Sequence, residues 1–135
     1  MQRRVRLLLE GIEQRLRTGK SEKMQLQEKL TIEHLLPQEW RARWPLPVEL
    51  ESEQAAEERD RILHTMGNLT LLNKKLNPAV SNGTWEDKWP EILKHTLLQI
   101  NKDLEEYLKW DEATIRIRGE KLFDTARSVW PRPRG

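Results

Sequence analysis

The sequence predicts an α+β fold, mostly helical, in which two short antiparallel strands are wrapped by about four amphipathic helices. Three observations lead there. Apolar residues recur at helical spacing in several separate stretches. Two much shorter apolar runs, residues 30–36 and 69–72, are bounded by breaker or turn residues and read as strands. No repeat or low-complexity linker divides the 135 residues, a length that suits one domain.

The elements follow in order. Val5, Leu8, Leu9, Ile12 and Leu16 share one helical face, and Gly19 ends that helix. The run from Leu30 to Leu36 is β-branched at Thr31 and Ile32 and is stopped by Pro37, giving the first strand. Pro45 and Pro47 mark a loop, and the charge-rich stretch from Val48 to Thr65 is helical until Gly67. Leu69-Thr70-Leu71-Leu72 forms the second strand. Residues 73–82 carry a short helix with Pro78 in its first turn or at a kink, closed by the turn Ser81-Asn82-Gly83. One closing helix carries Leu93, Leu97, Ile100, Leu104 and Leu108. The last carries Ile115, Leu122, Ala126 and Val129 before Pro131 and Pro133. The expected organisation is a single domain, with a core at about residues 30–83 and flanking helices over 1–18 and 85–130.

Composition narrows the chemistry. Hydrophobic residues make up 36% and charged residues 34%, so much of the helical surface is solvated and the core must be economical. Six tryptophans supply bulk that sparse aliphatics do not, and Trp40, Trp44, Trp85 and Trp89 lie close to the strand segments. With no cysteine, disulfides, thiol nucleophiles and cysteine-based zinc sites are excluded. No apolar run reaches the roughly 18 residues of a membrane span, and the first ten residues lack signal-peptide character, so a cytoplasmic protein is expected. Net charge is +2, with basic residues concentrated in the first thirty positions and at Arg127, Arg132 and Arg134. Such clusters can track phosphates or simply be solvated helix faces.

Three segments stand out: Glu33-His34-Leu35-Leu36-Pro37-Gln38, Gly67-Asn68-Leu69-Thr70-Leu71-Leu72, and Asn77. Together they give a strand with a histidine near its end, a loop asparagine, a second strand, and a short helix bearing another amide. That order is the layout of a ββα-metal finger. In full, Thr31 to Gln38, Met66 to Leu72, Leu76-Asn77, Ser81-Asn82, Lys88 and Val129-Trp130-Pro131 resemble the HNH-like (His-Me finger) C-terminal domain family of GmrSD-type, modification-dependent Type IV restriction endonucleases. The resemblance runs from the first helix to Trp130. Unlike many HNH nucleases, the chain has no paired cysteines, so no structural zinc is expected.

The resemblance implies a metal-dependent endonuclease that hydrolyses DNA phosphodiester bonds in restriction of foreign or modified DNA. His34 is the expected general base, because an imidazole of ordinary pKa about 6.5 accepts a proton near neutral pH. Asn68 is the expected catalytic support that orients His34, or a turn residue following Gly67. Asn77 is a metal ligand by resemblance, or a helix N-cap before Pro78. Glu33 is a metal ligand or a group behind one, although neighbours in a regular strand face opposite sides. Asn82 and Lys88 are outer substrate-binding candidates. His64 and His95 lie in charged helical segments and read as solvated or packing residues. The cofactor expected is Mg²⁺ or Mn²⁺, for which amide and carboxylate oxygens are suited.

The partner expected is DNA. The Asp-Gly-Gln-Gln-Arg motif of the nucleotide-dependent domain usual in such proteins is missing here. The chain therefore reads as an excised portion, a subunit or a stand-alone product, with any nucleotide-dependent partner supplied separately. Two rival readings stay open: a nucleic-acid-binding module that keeps the fold without the chemistry, and a protein-docking module.

Overall fold

The structure is a computed structural model that describes residues 2–17, 30–46, 52–96 and 98–129. It is α+β and mostly helical. In chain order come α1 (Gln2–Leu16), β1 (Thr31–His34), α2 (Glu53–Ile62), β2 (Leu69–Leu72), α3 (Pro78–Ser81), α4 (Trp85–His95), α5 (Gln99–Lys102) and α6 (Glu112–Val129). Single 3₁₀ turns precede β2 (Met66–Asn68) and follow α5 (Asp103–Glu106). The expected elements from Gly19 to Lys29, the start of the second helix, and everything past Val129 lie outside the described residues.

The strands pair antiparallel with Thr31 opposite Leu72 and His34 opposite Leu69. All four residues of β2 are buried, and its alternation feeds two packing clusters. Leu69 and Leu71 join Leu9 and Ile12 of α1 and Leu122 and Ala126 of α6. Leu72 points instead to a tryptophan-rich cluster with Leu35, Leu36, Trp40, Trp44, Trp85 and Trp110. The rings of Trp85 and Trp110 stack at 4.9 Å. Each buried indole N–H finds an acceptor: Asp60 for Trp40, Gly83 O for Trp44, Tyr107 O for Trp85 and Asn68 for Trp110. Bulk is thereby buried without stranding a donor.

Local chemistry fixes the helix ends. Ser52 caps α2 and Thr84 caps α4 through their hydroxyls, while Asp111 and Thr114 bond reciprocally at the start of α6. The start of α5 has no side-chain cap of its own. The buried Glu13 of α1 provides one, accepting from the amides of Gln99 and Ile100 at 2.9 Å each, with Arg17 as its counterion.

Two sequence expectations are corrected. The first strand is only Thr31–His34, because Leu35 and Leu36 turn away to bond with Asn68 rather than continue the ladder. The single helix expected through Leu93 and Leu108 is broken. Thr96 and Leu98 are extended, and the Thr96 hydroxyl accepts from Leu98 N at 3.1 Å and from the Asn101 amide at 3.0 Å. Such local side-chain bonds compete with the helical ladder. Leu108, 93% exposed, never reaches the core.

One contact sets how α6 meets the turn before β2. A Cβ placed on Gly67 would lie 2.0 Å from the carbonyl oxygen of Ile115 and 2.9 Å from Gly119 N, both backbone atoms. A Cβ on Gly119 would meet only Gly67, at 3.6 Å. Gly67→Ala is therefore expected to cost about 3 kcal/mol, the upper end for overpacking. Gly119→Ala, inside a helix, should be neutral or stabilising by up to about 1 kcal/mol. Urea midpoints of the two variants check this, and equal midpoints would contradict the close approach.

Candidate active site

His34 is the last residue of β1, and the chain just beyond it is held from two sides. On one side stands Asn68, fully buried. Its Oδ1 accepts from Leu36 N at 2.7 Å and Trp110 Nε1 at 2.9 Å, and its Nδ2 donates to Leu36 O at 2.9 Å and Leu63 O at 2.8 Å. Its own carbonyl accepts from Leu35 N at 2.8 Å. Every polar group of this side chain is used, so Asn68 braces the residues after His34 and does not itself open to solvent. Arg118 of α6 secures the brace, donating to Gly67 O and Leu69 O at 2.8 Å each. Burial pulls the Arg118 guanidinium down to about 10, which leaves it charged at neutral pH. Its Nη2 is the buried side-chain polar atom without a partner among the described residues.

On the other side stands Lys88 of α4, with no exposed surface. Its Nζ donates to His34 O at 2.5 Å, Ser81 O at 2.7 Å and Leu35 O at 3.1 Å, and it lies 2.9 Å from Glu33 Oε2. Burial pushes the Lys88 ammonium below its ordinary value, and the Glu33 carboxylate pulls it back. The expectation that Lys88 binds a phosphate is corrected here, since its ammonium is spent on internal oxygens and cannot reach one. Glu33 Oε2 also accepts from the Ser81 hydroxyl at 2.8 Å. Its Oε1 makes no hydrogen bond among the described residues and is not a buried unpartnered atom, so it opens to solvent.

Between these braces lies an open cavity of about 260 Å³ whose walls include Glu33, His34, Gln38, Glu39, Ser81 and Asn82. Glu33 and His34 both line it without a bulge in the strand register, because the cavity wraps the end of β1. Asn82, an outer candidate by sequence, is in its wall. Asn77 is not. Its Oδ1 accepts from Val80 N at 3.0 Å as the N-cap of α3, and its side chain lines a different cavity of about 320 Å³ with Lys74, Lys75 and Ile92. The structure thus brings Glu33, His34 and Asn82 together, keeps Asn68 and Lys88 beneath them, and leaves Asn77 apart.

The His34 ring is half-buried. Its Nε2 lies 3.3 Å from Nδ1 of His64 and 3.4 Å from the Gln38 amide nitrogen, whereas its Nδ1 has no partner among the described residues and is open to solvent. Burial lowers the His34 pKa below the usual imidazole value. His64 and Lys88 lower it further, and Glu33 opposes them. The ring is therefore neutral, and able to accept a proton, at neutral pH. The sequence reads His64 as a solvated or packing residue and gives Gln38, though in the motif, no role; His64 is exposed, yet both side chains meet the His34 ring. No sequence signal marks His64, whose approach to His34 depends on Asn68 tying Leu63 to Leu36. The side chain of His95 is outside the described set.

Among the described residues no three His, Cys, Asp or Glu side chains converge on a metal position. The cavity wall instead carries oxygen-bearing side chains, Glu33, Glu39 and Asn82. That set suits a hard cation that keeps most of its own water, and does not suit zinc.

No curated protein and no solved structure matches the chain. The profile of the family described as GmrSD restriction endonucleases, C-terminal domain, matches residues 1–125. With nearly its whole length covered, and with the strand-end histidine and its asparagine brace in place, the chain belongs to the GmrSD restriction endonuclease C-terminal domain family.

Proposed function

We propose that the chain is an HNH-type nuclease domain that hydrolyses phosphodiester bonds of DNA, with His34 as general base and a divalent cation, Mg²⁺ or Mn²⁺, beside it. The observation that carries this reading is the solvent-open Nδ1 of a neutral histidine in a cavity shared with Glu33 and Asn82, in a chain of a restriction endonuclease family. Water entering the cavity gives a proton to His34 Nδ1 as its oxygen attacks phosphorus; the P–O3′ bond breaks, and the leaving 3′ oxygen takes a proton from solvent. The rigid carbonyl cradle of Lys88 and the Asn68 brace hold the imidazole still while this happens, which is where positioning contributes to rate. Glu33 and Asn82 are the side chains of the cavity wall that would hold the cation. Held there, it would supply positive charge to offset the negative charge growing on the phosphoryl oxygens. Asn77 is better read as the cap of α3.

The test is nicking of supercoiled plasmid and of modified phage DNA by the purified chain, with Mg²⁺ or Mn²⁺ and with chelator. Nicking that appears with the metal and stops on chelation is expected. Nicking indifferent to chelator, or DNA binding without cleavage on every substrate, would remove the metal-nuclease reading in favour of a binding module.

The pH dependence has a defined sign. A base must be unprotonated, and the His34 pKa is lowered, so the rate should climb with pH along a limb centred below the ordinary imidazole value of about 6.5. It should then be level from about pH 7 upward. Single-turnover rates across this range would contradict the assignment if the limb fell above pH 7.

A further inference from the structure

We infer that His64 is a positioning residue that accepts the Nε2–H of His34 and so keeps the lone pair of His34 on Nδ1, the nitrogen without a partner among the described residues. This rests on the reading of His34 as general base, and its test separates the two.

A neutral imidazole has one proton for two nitrogens, and the bond made by one nitrogen decides the state of the other. Among the described residues, His34 has a side-chain hydrogen-bond partner only at Nε2. There, His64 Nδ1 sits at 3.3 Å, the rings meeting edge-on at 89° with centroids 5.3 Å apart. If the shared proton belongs to His34, Nδ1 carries a lone pair toward solvent and can take a proton from water. If it belongs to His64, the His34 proton must sit on Nδ1, and the unpartnered nitrogen cannot take a proton from water. The Gln38 amide nitrogen lies 3.4 Å from the same Nε2 and, as placed, competes for its lone pair; with the amide oxygen and nitrogen exchanged, Gln38 joins His64 as an acceptor of the Nε2–H.

Balance of protons also favours the first arrangement. When Nδ1 accepts the proton of the attacking water, His34 becomes a cation whose Nε2–H is already aimed at a neutral acceptor. That bond becomes charge-assisted without any rearrangement. No proton leaves the pair in this step.

His64 has little else to do. It is exposed, it follows the last turn of α2, and its side chain makes no other hydrogen bond among the described residues. A structural role would therefore leave little trace on mutation.

The experiment uses the full chain labelled with ¹⁵N-histidine. Long-range ¹H–¹⁵N correlation at about pH 8, above the ordinary imidazole pKa of about 6.5, reads the His34 tautomer directly. The wild type is expected to show Nε2–H with Nδ1 bare, and His64→Leu a mixture of tautomers. In nicking assays His64→Leu should lower kcat about 10-fold, a part of the ~10²- to 10⁴-fold that a positioned base contributes, with KM for DNA unchanged. His64→Gln, whose amide oxygen can accept the same proton, should recover most of the rate. An unchanged His34 tautomer and an unchanged kcat in His64→Leu would reduce the pair to a surface contact. If His34→Ala still nicks like the wild type, the base assignment itself fails. If His34→Ala is dead while His64→Leu is fully active, only the positioning role fails. The tautomer measurement decides the matter even where cleavage is too slow to measure.

Discussion

Replacing His34 with alanine is expected to slow DNA nicking by about 10²- to 10⁴-fold, the usual contribution of a positioned general base. The change removes the proton acceptor and leaves Glu33, Ser81, Asn82 and the Lys88 cradle in place. Lys88 bonds to the carbonyl of residue 34, not to its ring, so the backbone there keeps its anchor. Because the ring is half-buried and, among the described residues, hydrogen-bonds only with His64 and Gln38, the melting temperature should move little. The loss should fall on kcat and not on KM, since the ring acts on the attacking water and not on bound DNA. Preserved nicking by a well-folded His34→Ala protein would mean that another group takes the proton.

Lys88→Met is expected to be the most damaging single change to stability, at about 3–5 kcal/mol, the cost of breaking a buried ion pair from one side. Methionine keeps most of the volume but strands a carboxylate that is only 13% exposed, together with the carbonyls of His34, Leu35 and Ser81. Set against a typical total of about 5–15 kcal/mol, that is a large share of the fold's margin. The pair also gives a sharper test. Adding Glu33→Gln to Lys88→Met removes the orphaned charge, so the double variant should be more stable than Lys88→Met alone, although neither should nick DNA efficiently. Urea denaturation of the four proteins closes this cycle. A Lys88→Met midpoint equal to wild type would show that the ammonium is not buried among those oxygens.

Local pattern carried a good deal of this molecule. The helical face of Val5 to Leu16, the four residues of β2, Pro78 at the first turn of α3 and the closing helix through Ala126 all express a period or a breaker confined to a few neighbours. The family resemblance rested on ordered short segments, which is why it was legible without any contact information. What escaped was set by partners distant in sequence. Lys88 reads as a surface lysine until Glu33 and Ser81, 55 and 7 residues away, surround it. His64 gains its significance only because Asn68 ties the end of α2 to the end of β1. The break after His95 was hidden because Leu93, Leu97, Ile100 and Leu104 keep a helical period through it, while the competing bonds from Thr96 leave no mark on hydrophobicity. Asn77 offered two consistent local roles, and only the walls of the cavities separate them.

The stacked Trp85 and Trp110 have a practical consequence. Two indoles at van der Waals distance couple their electronic transitions, so the folded core carries a chiroptical band of its own, distinct from the helical backbone signal. Because Trp110 is also bonded to the Asn68 brace, that band vanishes when the support beneath His34 gives way, even if the helices persist. A chemist without any label in hand can thus tell a variant that has lost its chemistry from one that has lost its scaffold.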